Sequence, residues 1–155
     1  EIFDETAKRH PGVKPDHVYV DACSAFLVKR PWDFDVLVTE NMFGDILSDL
    51  TASLIGGLGM APSADIGDRY AMFQPCHTTA PNIMGQGKAN PTAMILSTAM
   101  MLDWLADKHG LEGAAEAAER IERAVDKAYA DGIKPTEFGG SNGTADVTKA
   151  VLAAL

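Results

Sequence analysis

Residues 41–55 read NMFGDILSDLTASLI and predict an amphipathic helix. Asn41 is a good residue to begin a helix, because its side chain can accept a hydrogen bond from a free backbone N–H. Four apolar residues recur at four-residue intervals, as expected for one buried helix face: Met42, Ile46, Leu50 and Leu54. Gly56, Gly57 and Gly59 follow and predict the end of the helix.

Two aspartates, Asp45 and Asp49, lie four residues apart on this helix. Residues at that spacing share a face, with their β-carbons about 5–6 Å apart, and two like charges there repel each other. A divalent cation such as Mg²⁺ or Mn²⁺, which prefers hard oxygen ligands, would relieve the repulsion. Asp21, at the end of a predicted strand, is the natural third carboxylate. The alternative is that the pair is simply solvated or salt-bridged.

The segments around this helix predict an α/β fold, in which strands alternate with helices. Valine-rich runs at 17–22 and 34–40 predict strands buried on both faces, and a third strand is predicted near 70–74. Helices are predicted at 1–9, 22–29, 91–108, 111–131 and from residue 144 to the end. The main break in organisation falls at Gly56. The first residues already read as helix, so we expect the chain to be a piece of a larger protein.

The segment 77–91, HTTAPNIMGQGKANP, reads as a loop before a helix that Asn90 caps. Its hydroxyls, amides and glycines could face a ribose or a phosphate, although the chain lacks the GxGxxG pattern of a Rossmann site. A plain surface loop is the alternative. The segment 139–144, GGSNGT, has no following lysine as in a P-loop and is predicted to be a turn.

Composition narrows the class of protein. The formal net charge of -9 argues against nucleic acid or an anionic membrane as a partner. No apolar run approaches the length of a membrane-spanning helix. Two cysteines make no disulfide framework, which favours a reducing compartment, and we expect a cytoplasmic protein.

Several segments together resemble the isocitrate / isopropylmalate / tartrate (D-malate) dehydrogenase family, the metal-dependent β-decarboxylating dehydrogenases. The matching stretches are YVDACSAFLV, FDVLVTENMFGDILSDL, GGLGMAPSADIG, HTTAPNIMGQGKANPTAMILSTAMML and GGSNGT. The resemblance covers nearly the whole chain and identifies it with the family's C-terminal half. It implies a partial isopropylmalate-dehydrogenase-like mixed sheet with flanking helices, distinct from Rossmann. Residues 1–55 would belong to the dimerisation and metal domain, and 56–155 to the cofactor domain.

The resemblance also implies site residues. Asp45 and Asp49 would bind Mg²⁺ or Mn²⁺, and Asp21 would complete the site of the neighbouring subunit in a homodimer. NAD, or NADP, would lie against the loop at 77–90, on these residues: His77, Thr78, Thr79, Ala80, Asn82, Ile83 and Asn90. Three positions depart from the family pattern: Thr78 replaces a glycine, Asn82 an aspartate and Gln74 a glutamate.

The activity implied is NAD(P)-dependent oxidation and decarboxylation of a malate-type 2-hydroxy acid, namely tartrate or D-malate, isopropylmalate or isocitrate. The family's catalytic lysine and tyrosine, and the arginines that hold the substrate, match no residue of this chain. We therefore expect the isolated chain to be inactive. The alternative is a non-catalytic regulatory or binding subunit of the same family.

Overall fold

A computed structural model describes all 155 residues. The chain divides into two compact units, Glu1–Leu50 and Thr51–Leu155, so the division falls inside a helix. The helices are α1 Ile2–Ala7, α2 Val20–Lys29, α3 Asn41–Leu54, α4 Thr92–His109, α5 Glu112–Ala130 and α6 Thr144–Ala154. The strands are β1 Pro62–Ile66 and β2 Ala71–Pro75, and 3-10 turns lie at Pro31–Asp33, Pro81–Ile83 and Thr136–Phe138. None of the helices is both long and apolar enough to cross a membrane.

The first unit is built on the packing of α2 against α3. Buried Cys23 and Leu27 of α2 meet buried Leu47 of α3, and Phe34 packs against this cluster. At the edge of the unit, His17 Nε2 lies 2.7 Å from Asp4 Oδ1. This hydrogen bond lowers the pKa of the Asp4 carboxyl below its ordinary value, so the pair is present at neutral pH and is lost when the pH falls through that lowered pKa.

The two valine-rich runs do not form strands, so both strand predictions are wrong. Helix α2 begins at Val20 and takes the end of the first run, while 36–40 has no regular structure. Val36 and Val38, expected to be buried, are 83% and 79% exposed. A strand exists only when a neighbour completes its hydrogen-bond ladder, and this chain gives neither run a neighbour.

The second unit packs one helix layer on a small sheet. Strands β1 and β2 pair antiparallel, with Ala64 opposite Phe73, and α4 packs against both strands as well as against α5. The hydroxyl of buried Ser97 in α4 donates to the carbonyl of Gln74 in β2 at 2.8 Å. The strand predicted near 70–74 is confirmed, but β1 was missed.

Helices α3, α4, α5 and α6 form where the sequence predicts them, because their signals are local. The apolar face expected for α3 is not buried, since Met42 and Ile46 are 61% and 57% exposed. Helix α5 buries Ala118, Val125 and Ala128, and Val151 of α6 joins this core. Helix α4 is less enclosed than its composition suggests, since Met94 is 52% exposed. The result is a helix-rich α/β fold with a two-stranded antiparallel sheet, smaller than the mixed sheet expected from the resemblance.

Candidate functional site

The acidic pair lies on the exposed face of α3. Asp45 and Asp49 are both exposed, whereas Leu47 between them is 7% exposed and packs into the first unit's core. The helical repeat therefore places the two carboxylates one turn apart on one side of α3, as predicted. The Asn41 side chain, expected to cap the helix, instead donates to Asp45 Oδ2 at 3.2 Å.

Asp21 is also exposed, in the first turn of α2. Its carboxylate accepts a hydrogen bond from the backbone N–H of Ala22 at 2.8 Å. No three His, Cys, Asp or Glu side chains converge in a single chain to hold a metal ion, so Asp21 does not join Asp45 and Asp49 within one chain. Completion of the site by Asp21 of a neighbouring subunit stays a prediction.

Asp45 and Asp49 provide part of the ligand set that a hard cation needs. Asp45 and Asp49 supply carboxylate oxygens at adjacent positions on one helix, open to solvent. These are the ligand atoms that Mg²⁺ and Mn²⁺ prefer, and such ions usually keep several waters or substrate oxygens besides one or two carboxylates. Two carboxylates can therefore serve as the ligands that this chain contributes to such a site.

The first half of the predicted cofactor loop is open. Every residue from His77 to Asn82 is exposed, and the ring of His77 bonds only its neighbour's carbonyl, with Nδ1 at 3.0 Å from Thr78 O. Pro81–Ile83 forms a 3-10 turn, and Gln86 Nε2 donates to the Asn82 carbonyl at 2.8 Å. The Asn82 side chain stays at the surface, where a ligand can reach it.

The second half of the loop is anchored by its backbone carbonyls. Gly87 O accepts from the backbone N–H of Thr144 at 2.8 Å, and Lys88 O accepts from the hydroxyl of Thr136 at 3.0 Å. The Thr144 hydroxyl donates to Ala89 O. The GGSNGT segment has a turn at Gly139 and is otherwise irregular up to the start of α6 at Thr144, and it also supports the loop. Sequence reasoning missed Thr136 and Thr144, since nothing local marks a contact to a residue about fifty positions away.

Asn90 is the last residue of the loop, and its side chain is fully engaged. Its Oδ1 accepts from the backbone N–H of Thr92 at 3.1 Å and from the Thr92 hydroxyl at 2.7 Å. Tyr129 OH donates to the same oxygen at 3.3 Å, and Asn90 Nδ2 donates to Glu137 Oε2 at 3.1 Å. The Asn90 side chain thus accepts from the first residue of α4, although Pro91 occupies the N-cap position and the helix begins one residue later than predicted. Its amide is committed to protein partners, so any part it has in cofactor binding is through positioning the loop.

The sequence of this chain is similar to those of one family of dehydrogenases. A family model described as isocitrate/isopropylmalate dehydrogenase matches residues 1–151. The isocitrate/homoisocitrate dehydrogenase of Thermus thermophilus is 52% identical over 155 residues, covering 100% of this chain and 44% of the relative. The 3-isopropylmalate dehydrogenase of Archaeoglobus fulgidus is 45% identical, covering 100% of this chain and 45% of the relative.

A solved structure agrees in three dimensions. The crystal structure of isocitrate dehydrogenase from Methylococcus capsulatus superposes with a TM-score of 0.85 at 46% identity, covering 99% of this chain and 44% of that one. The chain therefore spans less than half the length of the relatives it matches.

Proposed function

Because this chain belongs to the isocitrate/isopropylmalate dehydrogenase family, we propose that it forms part of an NAD(P)-dependent enzyme that oxidises and decarboxylates a malate-type 2-hydroxy acid. The enzyme would use Mg²⁺ or Mn²⁺ and act as a cytoplasmic homodimer. Tartrate or D-malate, isopropylmalate and isocitrate are the candidate substrates. The relatives named above are dehydrogenases of isocitrate, homoisocitrate and 3-isopropylmalate.

The observation that carries the proposal is the exposed carboxylate pair, Asp45 and Asp49, on one side of α3. These two residues would hold the divalent ion, with Asp21 supplied by the neighbouring subunit. When bound there, such an ion supplies Lewis-acid stabilisation of the negative charge that develops on the oxygens of the hydroxy acid. The chain's own part would be to hold α3 in place beneath the two carboxylates, through the packing of Leu47 against Cys23 and Leu27.

The loop would take the nucleotide on its open half. His77, Thr78, Thr79 and Ala80 would contact the adenosine portion, and Asn82 the ribose, with Ile83 half-buried behind them. An amide at position 82 can bond a ribose hydroxyl but has no charge with which to repel a 2′-phosphate. The loop thus favours tolerance of both NAD and NADP.

The uncharged side chain at position 82 predicts the effect of Asn82→Asp in the full-length enzyme. The added carboxylate should raise the KM for NADP by about tenfold while leaving that for NAD nearly unchanged, because only NADP brings a negative charge close to it. Asn82→Ser removes the amide without adding charge and serves as the control. An equal change for both nucleotides in Asn82→Asp, or the same shift in Asn82→Ser, would contradict the assignment.

A second prediction concerns the 155-residue chain by itself. We expect no turnover, because proton transfer at the substrate hydroxyl needs a positioned acid or base, and this chain has no residue at the positions of the family's lysine and tyrosine. Turnover is measured as NAD(P)H formation with all four hydroxy acids and Mn²⁺. Steady activity that survives repeated chromatography would overturn this expectation.

The proposed function is tested on the protein of the relatives' full length that carries this segment. It is assayed against tartrate, D-malate, isopropylmalate and isocitrate, with NAD or NADP, with and without Mn²⁺. Metal-dependent CO₂ release coupled to NAD(P)H formation with one of these acids supports the proposal. Absence of both products with every acid, from folded dimeric protein, refutes it.

The altered loop at Thr78 and Asn82 favours one alternative, a non-catalytic regulatory or binding subunit, whereas the intact Asp21, Asp45 and Asp49 disfavour it. Thr78 adds bulk where a glycine would let a ligand approach the backbone. The full-length reading frame separates the two functions: a regulatory subunit lacks the catalytic lysine and tyrosine and changes the activity of a partner without turnover of its own.

A further inference from the structure

We propose that Glu137 is a positioning residue that locks the end of the cofactor loop to the glycine turn at residues 56–59. The inference rests on the proposed function of the loop as a nucleotide site. It concerns a residue outside every segment that the sequence motifs single out.

Glu137 bonds two distant parts of the second unit with one carboxylate. Its Oε1 accepts from the backbone N–H of Gly59 at 3.0 Å, and its Oε2 accepts from Asn90 Nδ2 at 3.1 Å. Gly59 in turn accepts from the backbone N–H of Ala93 in α4 at 2.8 Å. The glycine turn, the end of the loop and the start of α4 are thereby joined in one network.

Only a carboxylate satisfies both contacts. Gly59 N–H and the Asn90 amide nitrogen are both donors, so each needs an acceptor. A glutamine at position 137 has one oxygen and must present its NH₂ group to one of the two donors. Asn90 cannot turn its amide over to accept, because its oxygen already accepts from Thr92 N–H and the Thr92 hydroxyl.

The glycines of the GGLG turn make room for this carboxylate. A β-carbon added to Gly57 would lie 2.5 Å from Glu137 Oε1. One added to Gly59 would collide with Glu137 Oε2 and lie 2.9 Å from the Asn90 β-carbon. The absence of side chains at both positions allows the carboxylate to reach the backbone.

The same 3-10 turn secures the loop twice. Thr136 holds the Lys88 carbonyl, and Glu137, the next residue, holds Asn90. The turn Thr136–Phe138 therefore fixes residues 88–90, while His77 to Asn82 stay open to a ligand. Loosening the fixed end would spread the open half over more conformations and raise the entropy that nucleotide binding must remove.

The test is Glu137→Gln in the protein at full length. We expect the Kd for NADH, from a fluorescence titration, to rise by about tenfold, because binding must then order a loop that the unchanged protein already holds in place. Hydrogen exchange should become faster at residues 56–60 and 84–91. Mn²⁺ affinity should stay unchanged, which a general loss of structure would not allow. Glu137→Asp keeps both acceptor oxygens and should recover part of the affinity.

Glu119→Gln is the matched control, because that carboxylate bonds only to Arg123 one turn along α5. If Glu137→Gln leaves the NADH affinity at the level of Glu119→Gln, the inference is overturned, whatever the exchange rates do. If the unchanged protein binds no nucleotide, the proposed function of the loop fails, and the inference fails with it. Nucleotide binding that is insensitive to Glu137 sinks the inference alone.

Discussion

Gly140→Ala is expected to destabilise the second unit by about 3 kcal/mol, because the new methyl group would be forced into a backbone that cannot move away. A β-carbon at this position would collide with the Lys134 carbonyl oxygen and lie 2.6 Å from its carbonyl carbon. Asn142 holds the backbone at Lys134 in place, because Asn142 Oδ1 accepts from Lys134 N–H at 2.8 Å. The backbone N–H of Asn142 also donates to Lys134 O at 3.2 Å.

The change is measured as the midpoint of urea denaturation. Gly113→Ala is the control, since a β-carbon there meets nothing within 4 Å and the residue lies in α5. Alanine is the better helix former, so this variant should be more stable by about 0.5–1 kcal/mol. Equal midpoints for the two variants would mean that the turn at 134–142 is not packed as described.

Asp45→Asn is expected to lower Mn²⁺-dependent turnover of the full-length enzyme by at least about 100-fold. The change removes a charged ligand oxygen of the proposed metal site, and changes even to groups outside the ligand shell cost about 10–100-fold. The variant keeps the size of the side chain, and position 45 is exposed, so folding should be unaffected. Mn²⁺ affinity is followed by electron paramagnetic resonance, and turnover by NAD(P)H absorbance.

Asp126→Asn, which removes an exposed carboxylate from α5, is the matched control and should keep Mn²⁺ affinity and turnover. Excess Mn²⁺ should restore part of the Asp45→Asn activity, because the substitution weakens metal binding. Full activity of Asp45→Asn at limiting Mn²⁺ would refute the metal assignment and leave Asp45 as a solvated helix residue.

Local patterns explain the predictions that were confirmed. Helix α5 and the hydrogen bond from Thr92 N–H to the Asn90 side chain depend on residues within a turn or two of each other. The strands predicted at 17–22 and 34–40 depended on neighbours elsewhere, and the exposed Val36 shows that valine-rich composition alone does not make a sheet.

The candidate site also has one part that local sequence patterns predict and another that they do not. Sequence alone determined that Asp45 and Asp49 share one face of a helix, because the helical repeat relates residues four apart wherever that helix is placed. It also marked the loop from His77 to Asn90 by its polar composition. Only the tertiary structure decided that Glu137 holds Gly59 and Asn90, because that contact joins residues 78 and 47 positions apart. Such a pairing follows from how α4 and the turns pack, which no local pattern encodes.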